Sequence, residues 1–273
     1  MSYTLYRPES IEEAVALQQR TGGAYLAGGT VSLVNCHRGK AIGDFQISLD
    51  RLQELRRIVR TEHTLSIGSM ITMDELEESK EVSESAAALW QAAREVGGPQ
   101  IRNRATLGGN LASASPASDC ATPLLAMNAV LRVTGTEGER MLPLREFFLG
   151  RMQSALKPDE IILSVDIPVC SGSVSVFRKI GKRNALAVSI LNMALVRRSD
   201  SISVAVGAAA PSPVYCPGTS EILSRSADAL EEAEAMLQKE ISPRDGRWAT
   251  ASYRRLVCGN LLKELLKETE ENK

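Results

Sequence analysis

The sequence predicts an α+β protein that is divided into two domains. Its 273 residues exceed the about 100–200 residues of a typical single domain. In the first part of the chain, short apolar runs that end in glycine turns alternate with amphipathic helical segments. The final part contains apolar runs suited to an antiparallel sheet, followed by two helices. Turn-forming residues at 170–173, CSGS, separate the two patterns, so the predicted domains are residues 1–170 and 171–273.

The chain opens with a helix and then a strand that enters a glycine turn. Ser10 and Glu13 fit a capping-box signature ahead of a helical pattern of apolar residues. Residues 24–27 form a short apolar run that leads into Gly28-Gly29-Thr30, and a short helical segment follows through Val34. We therefore predict a strand, a tight glycine turn and a helix in succession.

The next elements are two strands and two helices. Residues 45–49 and 65–68 are predicted strands, and the Thr and Glu of residues 72–76 indicate a short capped helix. Residues 86–96 have the spacing of an amphipathic helix, which Gly97 and the residues after it should end.

A long segment without periodicity follows this helix. Residues 97–119, GGPQIRNRATLGGNLASASPASD, are rich in Gly, Ser, Asn and Pro. Loops longer than about 12–15 residues are uncommon inside compact domains and are usually functional or disordered. We therefore predict one long functional loop.

The remaining elements are a buried helix, several strands and two closing helices. Residues 123–130 indicate a buried helix that leads into a strand, and residues 160–167 a strand closed by Pro168. The predicted elements of the second domain are strands at 174–180, 187–196 and 202–208 and helices at 227–239 and 248–267.

Composition excludes several classes of function. The 32 basic and 33 acidic residues nearly cancel, so the chain has no overall field to attract nucleic acid. The least interrupted apolar stretch, residues 185–196, is shorter than the about 18 residues that a membrane-spanning helix needs. The first residues, MSYTLYRPES, lack the apolar core of a secretory signal. We expect a cytoplasmic protein that binds no nucleic acid and has no membrane span.

Familiar catalytic and metal-binding motifs are absent from the sequence. Its five cysteines are far apart, so no C-x-x-C motif exists. The two histidines, His37 and His63, belong to no H-E-x-x-H motif, and there is no G-x-S-x-G. We expect no catalytic residue of a hydrolase and no metal site in this chain.

Two glycine pairs carry the strongest indication of ligand binding. Gly28-Gly29 and Gly108-Gly109 each follow an apolar segment and each lie beside small hydroxyl or amide side chains. Without a Cβ, such loops can turn successive N–H groups towards a pyrophosphate. A single Gly-Gly pair is usually only a turn. Two pairs with matching neighbours favour a dinucleotide site, although neither fits the Rossmann or P-loop pattern.

At these residues the chain resembles a known family. LAGGTVSL at 26–33, IGSMITMDEL at 67–76, GPQIRNRATLGGNLASASPASD at 98–119 and FRKIGKRNALAVS at 177–189 are similar to the successive signatures of molybdenum hydroxylase flavoprotein subunits. This family includes the FAD-binding subunits of xanthine dehydrogenase and carbon monoxide dehydrogenase. The motifs occur in the family's order, and the likeness extends to SYRRLVCGNLL at 252–262.

The resemblance implies a fold and a set of cofactor-binding residues. The fold would be a two-subdomain FAD-binding domain of the vanillyl-alcohol oxidase type, divided at about residue 55, with a C-terminal antiparallel sheet-and-helix domain. Asp119 would bond ribityl or ribose hydroxyls, although it also fits the N-cap of the helix that follows. The implied FAD-binding residues are Leu26, Ala27, Gly28, Gly29, Thr30, Val31, Ser32, Leu33, Thr106, Leu107, Gly108, Gly109, Asn110, Ser113, Ser115, Asp119, Ile162, and Arg178 or Lys179.

The resemblance also implies partners and a role in electron transfer. A molybdopterin-binding large subunit would hydroxylate the substrate, and a small subunit with [2Fe-2S] clusters would conduct the electrons to FAD on this chain. The expected acceptor is NAD⁺. A free-standing FAD-dependent oxidase or reductase of the same fold is the alternative, and a protein that has lost FAD is a third reading. The hydroxylated substrate would be selected on the molybdenum subunit.

Overall fold

A computed structural model describes residues 3–40, 42–183 and 187–271, in which three main sheets follow one another along the chain. Residues 184–186 of the FRKIGKRNALAVS motif lie outside the described residues. The N-terminal sheet and the helices around it consist of β1 (Thr4–Tyr6), α1 (Ile11–Thr21), β2 (Ala24–Leu26), α2 (Ser32–His37) and β3 (Phe45–Ser48).

The N-terminal sheet is parallel, with strand order β1-β3-β2. The hydroxyl of Ser10 accepts a bond from the Glu13 amide at 3.1 Å and so caps α1, which ends at Gly22 with a left-handed φ of 64°. Ala14 belongs to the buried cluster that contains Ile47. The predicted order of helix, strand, glycine turn and helix is confirmed.

The central sheet is antiparallel, with strand order β4-β5-β10-β6-β7. After a 3-10 turn (Gln53–Leu55), this region contains β4 (Ile58–Arg60), β5 (Thr64–Gly68), α3 (Met73–Glu78), α4 (Lys80–Ser85), α5 (Ala87–Arg94), α6 (Pro99–Arg102), α7 (Leu107–Ala112), α8 (Ala121–Ala126), β6 (Val130–Gly135), β7 (Gly138–Pro143), α9 (Leu144–Phe147), β8 (Phe148–Gly150), β9 (Gln153–Ser154) and β10 (Ile161–Pro168). Thr72 and Glu75 form the predicted capping box of α3.

The prediction of one continuous loop over residues 97–119 is wrong, because α6 and α7 lie within it. Helix α6 begins with Pro99 after Gly98, and α7 is capped by the Thr106 hydroxyl, which accepts from the Gly109 amide at 3.1 Å. Each helix has only one or two turns, which is too short for apolar periodicity to reveal it.

The C-terminal sheet is antiparallel, as predicted, with strand order β11-β12-β13-β14. Its elements are β11 (Val174–Ile180), β12 (Leu191–Arg197), β13 (Ile202–Gly207), β14 (Val214–Tyr215), α10 (Pro217–Arg225), α11 (Leu230–Glu240) and α12 (Ala251–Glu271). Helix α10 was not predicted, because it begins with the turn-forming pair Pro217-Gly218.

Both faces of the C-terminal sheet are buried. Phe177 and Ala194 on one face belong to the hydrophobic cluster of the central region. On the other face, Met193 and Leu195 pack in a cluster with Leu262 of α12. Since successive residues of a strand point to opposite faces, every residue of β12 is buried.

No helix within the described ranges is long and apolar enough to cross a membrane. The cytoplasmic location stays a prediction.

Candidate functional site

A cleft of about 710 Å³ lies between the N-terminal and central sheets. Both glycine pairs line it, although they are eighty positions apart in the chain. The predicted site residues that line this cleft are Ala27, Gly28, Gly29, Thr30, Val31, Ser32, Thr106, Gly108, Gly109, Asn110, Ser113 and Ile162. Those that do not are Leu26, Leu33, Leu107, Ser115, Asp119, Arg178 and Lys179.

The first glycine loop, residues 27–31, lines the cleft and contains backbone amides that have no acceptor among the described residues. Among the described residues, no protein acceptor bonds the amides of Gly28 through Val31. Gly29 has a left-handed φ of 74°, and a Cβ on Gly28 would lie 1.7 Å from the Arg104 carbonyl oxygen. Successive free amides in such a turn form a concave site for an anion. The missing Cβ lets this loop approach the segment before α7.

The second glycine loop, at the start of α7, differs from the first, because the amides of its two glycines have protein acceptors. The amides of Leu107, Gly108 and Gly109 donate to the Ile71 carbonyl at 2.9 Å, the Ser69 carbonyl at 2.8 Å and the Thr106 hydroxyl at 3.1 Å. The amides of these three residues are therefore bonded within the protein and are not free for a ligand. This loop offers the cleft side chains, among which the Thr106 hydroxyl keeps its own hydrogen available for a ligand.

Asp119 is buried at the junction with the C-terminal sheet. Its Oδ2 accepts from Lys179 Nζ at 2.6 Å, and its Oδ1 accepts from Ser189 Oγ at 2.5 Å and Asn192 Nδ2 at 2.9 Å. Burial raises the pKa of Asp119 above its ordinary value, and the Lys179 ammonium opposes that shift. A bond to a cofactor hydroxyl would have to use the one acceptor position left on Oδ2.

Asp119 does not cap the following helix. The N-cap of α8 is Cys120, and α8 has no side-chain cap. The N-cap alternative for Asp119 is therefore wrong. What the carboxylate does is join the segment before α8 to the C-terminal sheet through buried, charge-assisted hydrogen bonds.

Arg178 and Lys179 lie on opposite faces of β11. Arg178 bonds Glu264 at 3.1 Å and Glu268 at 2.6 Å on α12. Lys179 points the other way, to Asp119 and to the Glu95 carbonyl at 2.6 Å. The sequence left these two candidates open, and the alternation of side chains along a strand separates them. Lys179 is the one that meets another predicted site residue.

Sequence reasoning missed several residues that line the cleft, of which Ser69 carries the clearest chemistry. Ser69 follows β5 directly, is 4% exposed, and its hydroxyl has no hydrogen-bond partner among the described residues. It lies within the IGSMITMDEL motif, which was the available signal. The free amides of the first loop and the Thr106 hydroxyl fit a cofactor with a diphosphate, because both can donate to phosphate oxygens.

A carboxylate at the edge of the cleft is held by an arginine. Glu160 lines the cleft, and Arg140 donates to both of its oxygens, at 2.7 and 2.9 Å. The hydrogen bonds from Arg140 lower the pKa of Glu160 below its ordinary value. The pair therefore stabilises the fold above the ordinary carboxyl pKa, and its contribution is lost as pH falls through the lowered pKa.

We expect Glu160→Gln to lower the free energy of unfolding by about 1–3 kcal/mol at about pH 7, because a charge-assisted pair is lost. The difference from the unsubstituted protein should shrink at a second, acidic pH below the ordinary glutamate pKa of about 4.3, because the pair's contribution is lost as pH falls through the lowered pKa. Urea titrations at the two pH values measure this. Glu137→Gln is the control, because Glu137 pairs with Lys157 at the surface and is 78% exposed. A difference that stays constant with pH would contradict the assignment.

Two family models together match most of the chain. The FAD binding domain in molybdopterin dehydrogenase matches residues 1–170, and the CO dehydrogenase flavoprotein C-terminal domain matches residues 176–269. The nicotinate dehydrogenase FAD-subunit of Eubacterium barkeri is 30% identical over 86% of this chain and 84% of its own length. The xanthine dehydrogenase FAD-binding subunit of Escherichia coli O157:H7 is 29% identical over 96% of this chain and 94% of its own length.

Solved structures show the same fold. A chain of Cu,Mo-CO dehydrogenase in its cyanide-inactivated form superposes with a TM-score of 0.94 at 24% identity, covering 100% of this chain and 99% of its own. A chain of the carbon monoxide dehydrogenase from Hydrogenophaga pseudoflava, which lacks the Mo-pyranopterin moiety, gives a TM-score of 0.93 at 26% identity, covering 99% of this chain and 98% of its own.

Proposed function

Since the chain belongs to the FAD-binding medium subunits of the molybdenum hydroxylase family, we propose that it relays electrons between iron–sulfur clusters of a partner and an external acceptor. It is a flavoprotein subunit of a dehydrogenase, and residues 1–170 are its FAD-binding domain. The cleft between two sheets, lined by a glycine loop whose amides have no protein acceptor among the described residues, is the observation that carries the proposal.

The residues of the cleft bind and orient FAD. FAD, when bound, supplies reversible uptake of electrons at its isoalloxazine ring. The free amides of Gly28 through Val31 donate to the diphosphate, and the Thr106 hydroxyl donates from the facing wall. Ser113 and Ile162, which line the cleft, complete the flavin side, and the family motif assigns Ser115 to this side although it does not line the cleft. Asp119 and Lys179 join this side to the C-terminal sheet, which fixes its shape.

The proposed domain division is residues 1–170 and 171–273, with the first domain split at about residue 55. The separation of the N-terminal from the central sheet supports the split, and the cleft runs between them. A cofactor held between two α+β units is the arrangement that the vanillyl-alcohol oxidase type implies, and we propose that type here.

We propose a molybdopterin-binding large subunit and a [2Fe-2S] small subunit as partners. Similarity to dehydrogenase FAD subunits supports this, as does the name of the Hydrogenophaga enzyme, which mentions a molybdenum cofactor. No group of three or more potential metal ligands occurs among the described residues of this chain. The metal centres are therefore assigned to the partners.

NAD⁺ is the proposed acceptor, and the likeness to a xanthine dehydrogenase FAD-binding subunit supports it. The chain should be purified with its co-expressed neighbours, its visible spectrum recorded, and the cofactor released by heat for identification. We expect FAD, and iron–sulfur absorption only when the partners are present. NADH added without oxygen should bleach the flavin absorbance.

Different outcomes would remove different parts of the proposal. A colourless complex that cannot be reconstituted with FAD contradicts the cofactor assignment. Bleaching by dithionite but not by NADH contradicts the acceptor alone. Turnover of an organic substrate by the isolated chain would favour a free-standing FAD-dependent oxidase or reductase.

A further inference from the structure

The side chain of Asn110 carries a hydrogen-bond donor at the cleft. Asn110 belongs to α7, lines the cleft and is half-buried. Its amide donates to the Thr106 carbonyl at 2.9 Å, and its carbonyl accepts from the Ser113 hydroxyl at 2.7 Å, so its backbone is already bonded. Its Nδ2 atom has no acceptor among the described residues, and it is not one of the side-chain atoms that are buried without a partner. The nitrogen is therefore accessible, and its two N–H groups remain for a ligand.

The orientation of the Asn110 amide is fixed by Ser118. The Ser118 hydroxyl donates to Asn110 Oδ1 at 2.5 Å, and Ser118 is 3% exposed. If the amide were turned over, Nδ2 would donate to this hydroxyl, and the hydrogen of the hydroxyl would have no acceptor among the described residues. Since buried hydroxyls are nearly always hydrogen-bonded, the amide oxygen faces Ser118. Nδ2 then lies on the side of the amide away from Ser118.

A reversal of the chain after α7 brings Ser118 back to Asn110, which is eight positions earlier. Ala114 has a left-handed φ of 44° at this reversal. The returning segment is attached to the C-terminal sheet, because the Pro116 carbonyl accepts from the Ala208 amide at 2.7 Å. The position of the Ser118 hydroxyl is therefore set by the fold and needs no cofactor.

We propose that Ser118 is a positioning residue, which fixes the Asn110 side chain as a hydrogen-bond donor to FAD. A side-chain amide can present either its oxygen or its nitrogen to a ligand, whereas the oxygens of a diphosphate only accept hydrogen bonds. By holding the amide oxygen, Ser118 leaves the nitrogen for the cofactor. The assignment rests on the proposed function, in which the cleft holds FAD. It extends that proposal to a residue that does not line the cleft.

Two single variants and their combination test whether Ser118 acts through Asn110. The complex is stripped of FAD and titrated with FAD, with flavin fluorescence as the readout. We expect Ser118→Ala to weaken FAD binding about ten-fold, because binding then leaves the amide oxygen without its partner. Asn110→Ala should weaken binding by about ten-fold or more, because the donor is lost. Ser118→Ala added to Asn110→Ala should have no further effect on FAD affinity, whereas a purely structural role would make the two losses additive.

Asn110→Asp tests the donor directly and does not depend on the folding of Ser118→Ala. It replaces the Nδ2 group with a carboxylate oxygen of similar size, which cannot donate and repels phosphate. We expect this variant to bind FAD about ten-fold more weakly than Asn110→Ala does.

Ser220→Ala is the matched control. Ser220 is also 3% exposed, but it lies in α10, does not line the cleft, and donates its hydroxyl to the Cys216 carbonyl at 2.6 Å. This variant should lower the melting temperature of the stripped complex and leave FAD affinity unchanged.

Three results would overturn the assignment. Unchanged FAD affinity in Ser118→Ala, or an equal loss with and without Asn110→Ala, would give Ser118 no positioning role while leaving the proposed function intact. FAD affinity in Asn110→Asp equal to or above that of Asn110→Ala would show that Asn110 is not a donor to the cofactor. Failure of the unsubstituted complex to rebind FAD would remove the proposed function and this assignment together.

Discussion

Asp119→Ala is expected to lower the free energy of unfolding by about 3–5 kcal/mol, because it leaves the Lys179 ammonium buried without its counter-charge. The two side chains are 8% and 5% exposed and lie 2.6 Å apart. The substitution also removes the acceptor for Ser189 and Asn192, both of which are buried. Chemical denaturation of the complex-free chain, followed by circular dichroism, measures the change.

A double variant tests whether the cost comes from the unpaired charge. Asp119→Leu with Lys179→Met removes both charges and keeps apolar volume at the junction, so it should recover much of the stability lost in Asp119→Ala. The exposed pair Lys80 and Glu84 is the control, because its removal should change stability by less than about 1 kcal/mol. A loss below about 1 kcal/mol in Asp119→Ala would show that the pair does not hold the two sheets together.

Gly28→Ala is expected to weaken FAD binding by about 100-fold or more, because the added methyl group has no room. Its Cβ would lie 1.7 Å from the Arg104 carbonyl oxygen and 3.2 Å from the Ala105 Cα. Both neighbours are backbone atoms, so the first glycine loop and the segment before α7 would have to move apart. The ratio of FAD to protein after purification, and a titration with FAD, measure the loss.

Gly259→Ala is the matched control, because it also adds a methyl group at a crowded position, but Gly259 does not line the cleft. Its Cβ would lie 2.3 Å from Glu234 Oε1, the far end of a flexible side chain that can move away. This variant should retain FAD at the level of the unsubstituted protein. Full FAD occupancy in Gly28→Ala would contradict the conclusion that FAD binding requires the close approach of the first glycine loop to the segment before α7.

Local signals in the sequence predicted many of the helices and strands, and they predicted that the first glycine loop forms part of a binding site. The capping residues Ser10 and Thr72 mark helices that form where the spacing indicates them. The first glycine loop follows its strand and lines the cleft, as its residues suggest. Such signals succeed because capping, turns and alternation depend on neighbours a few positions away.

The sequence by itself determined the α+β class, the antiparallel C-terminal sheet and the family, because these follow from short-range patterns and from motifs in a fixed order. Only the tertiary structure decided three features of the site. It showed that the amides of Leu107, Gly108 and Gly109 bond within the protein, that Lys179 rather than Arg178 contacts Asp119, and that the Ser69 hydroxyl has no partner among the described residues. Each of these depends on which atoms meet across long stretches of chain, as for Asp119 and Lys179, which are 60 positions apart. Hydrogen-bond satisfaction is a property of the packed molecule, and no local pattern encodes it.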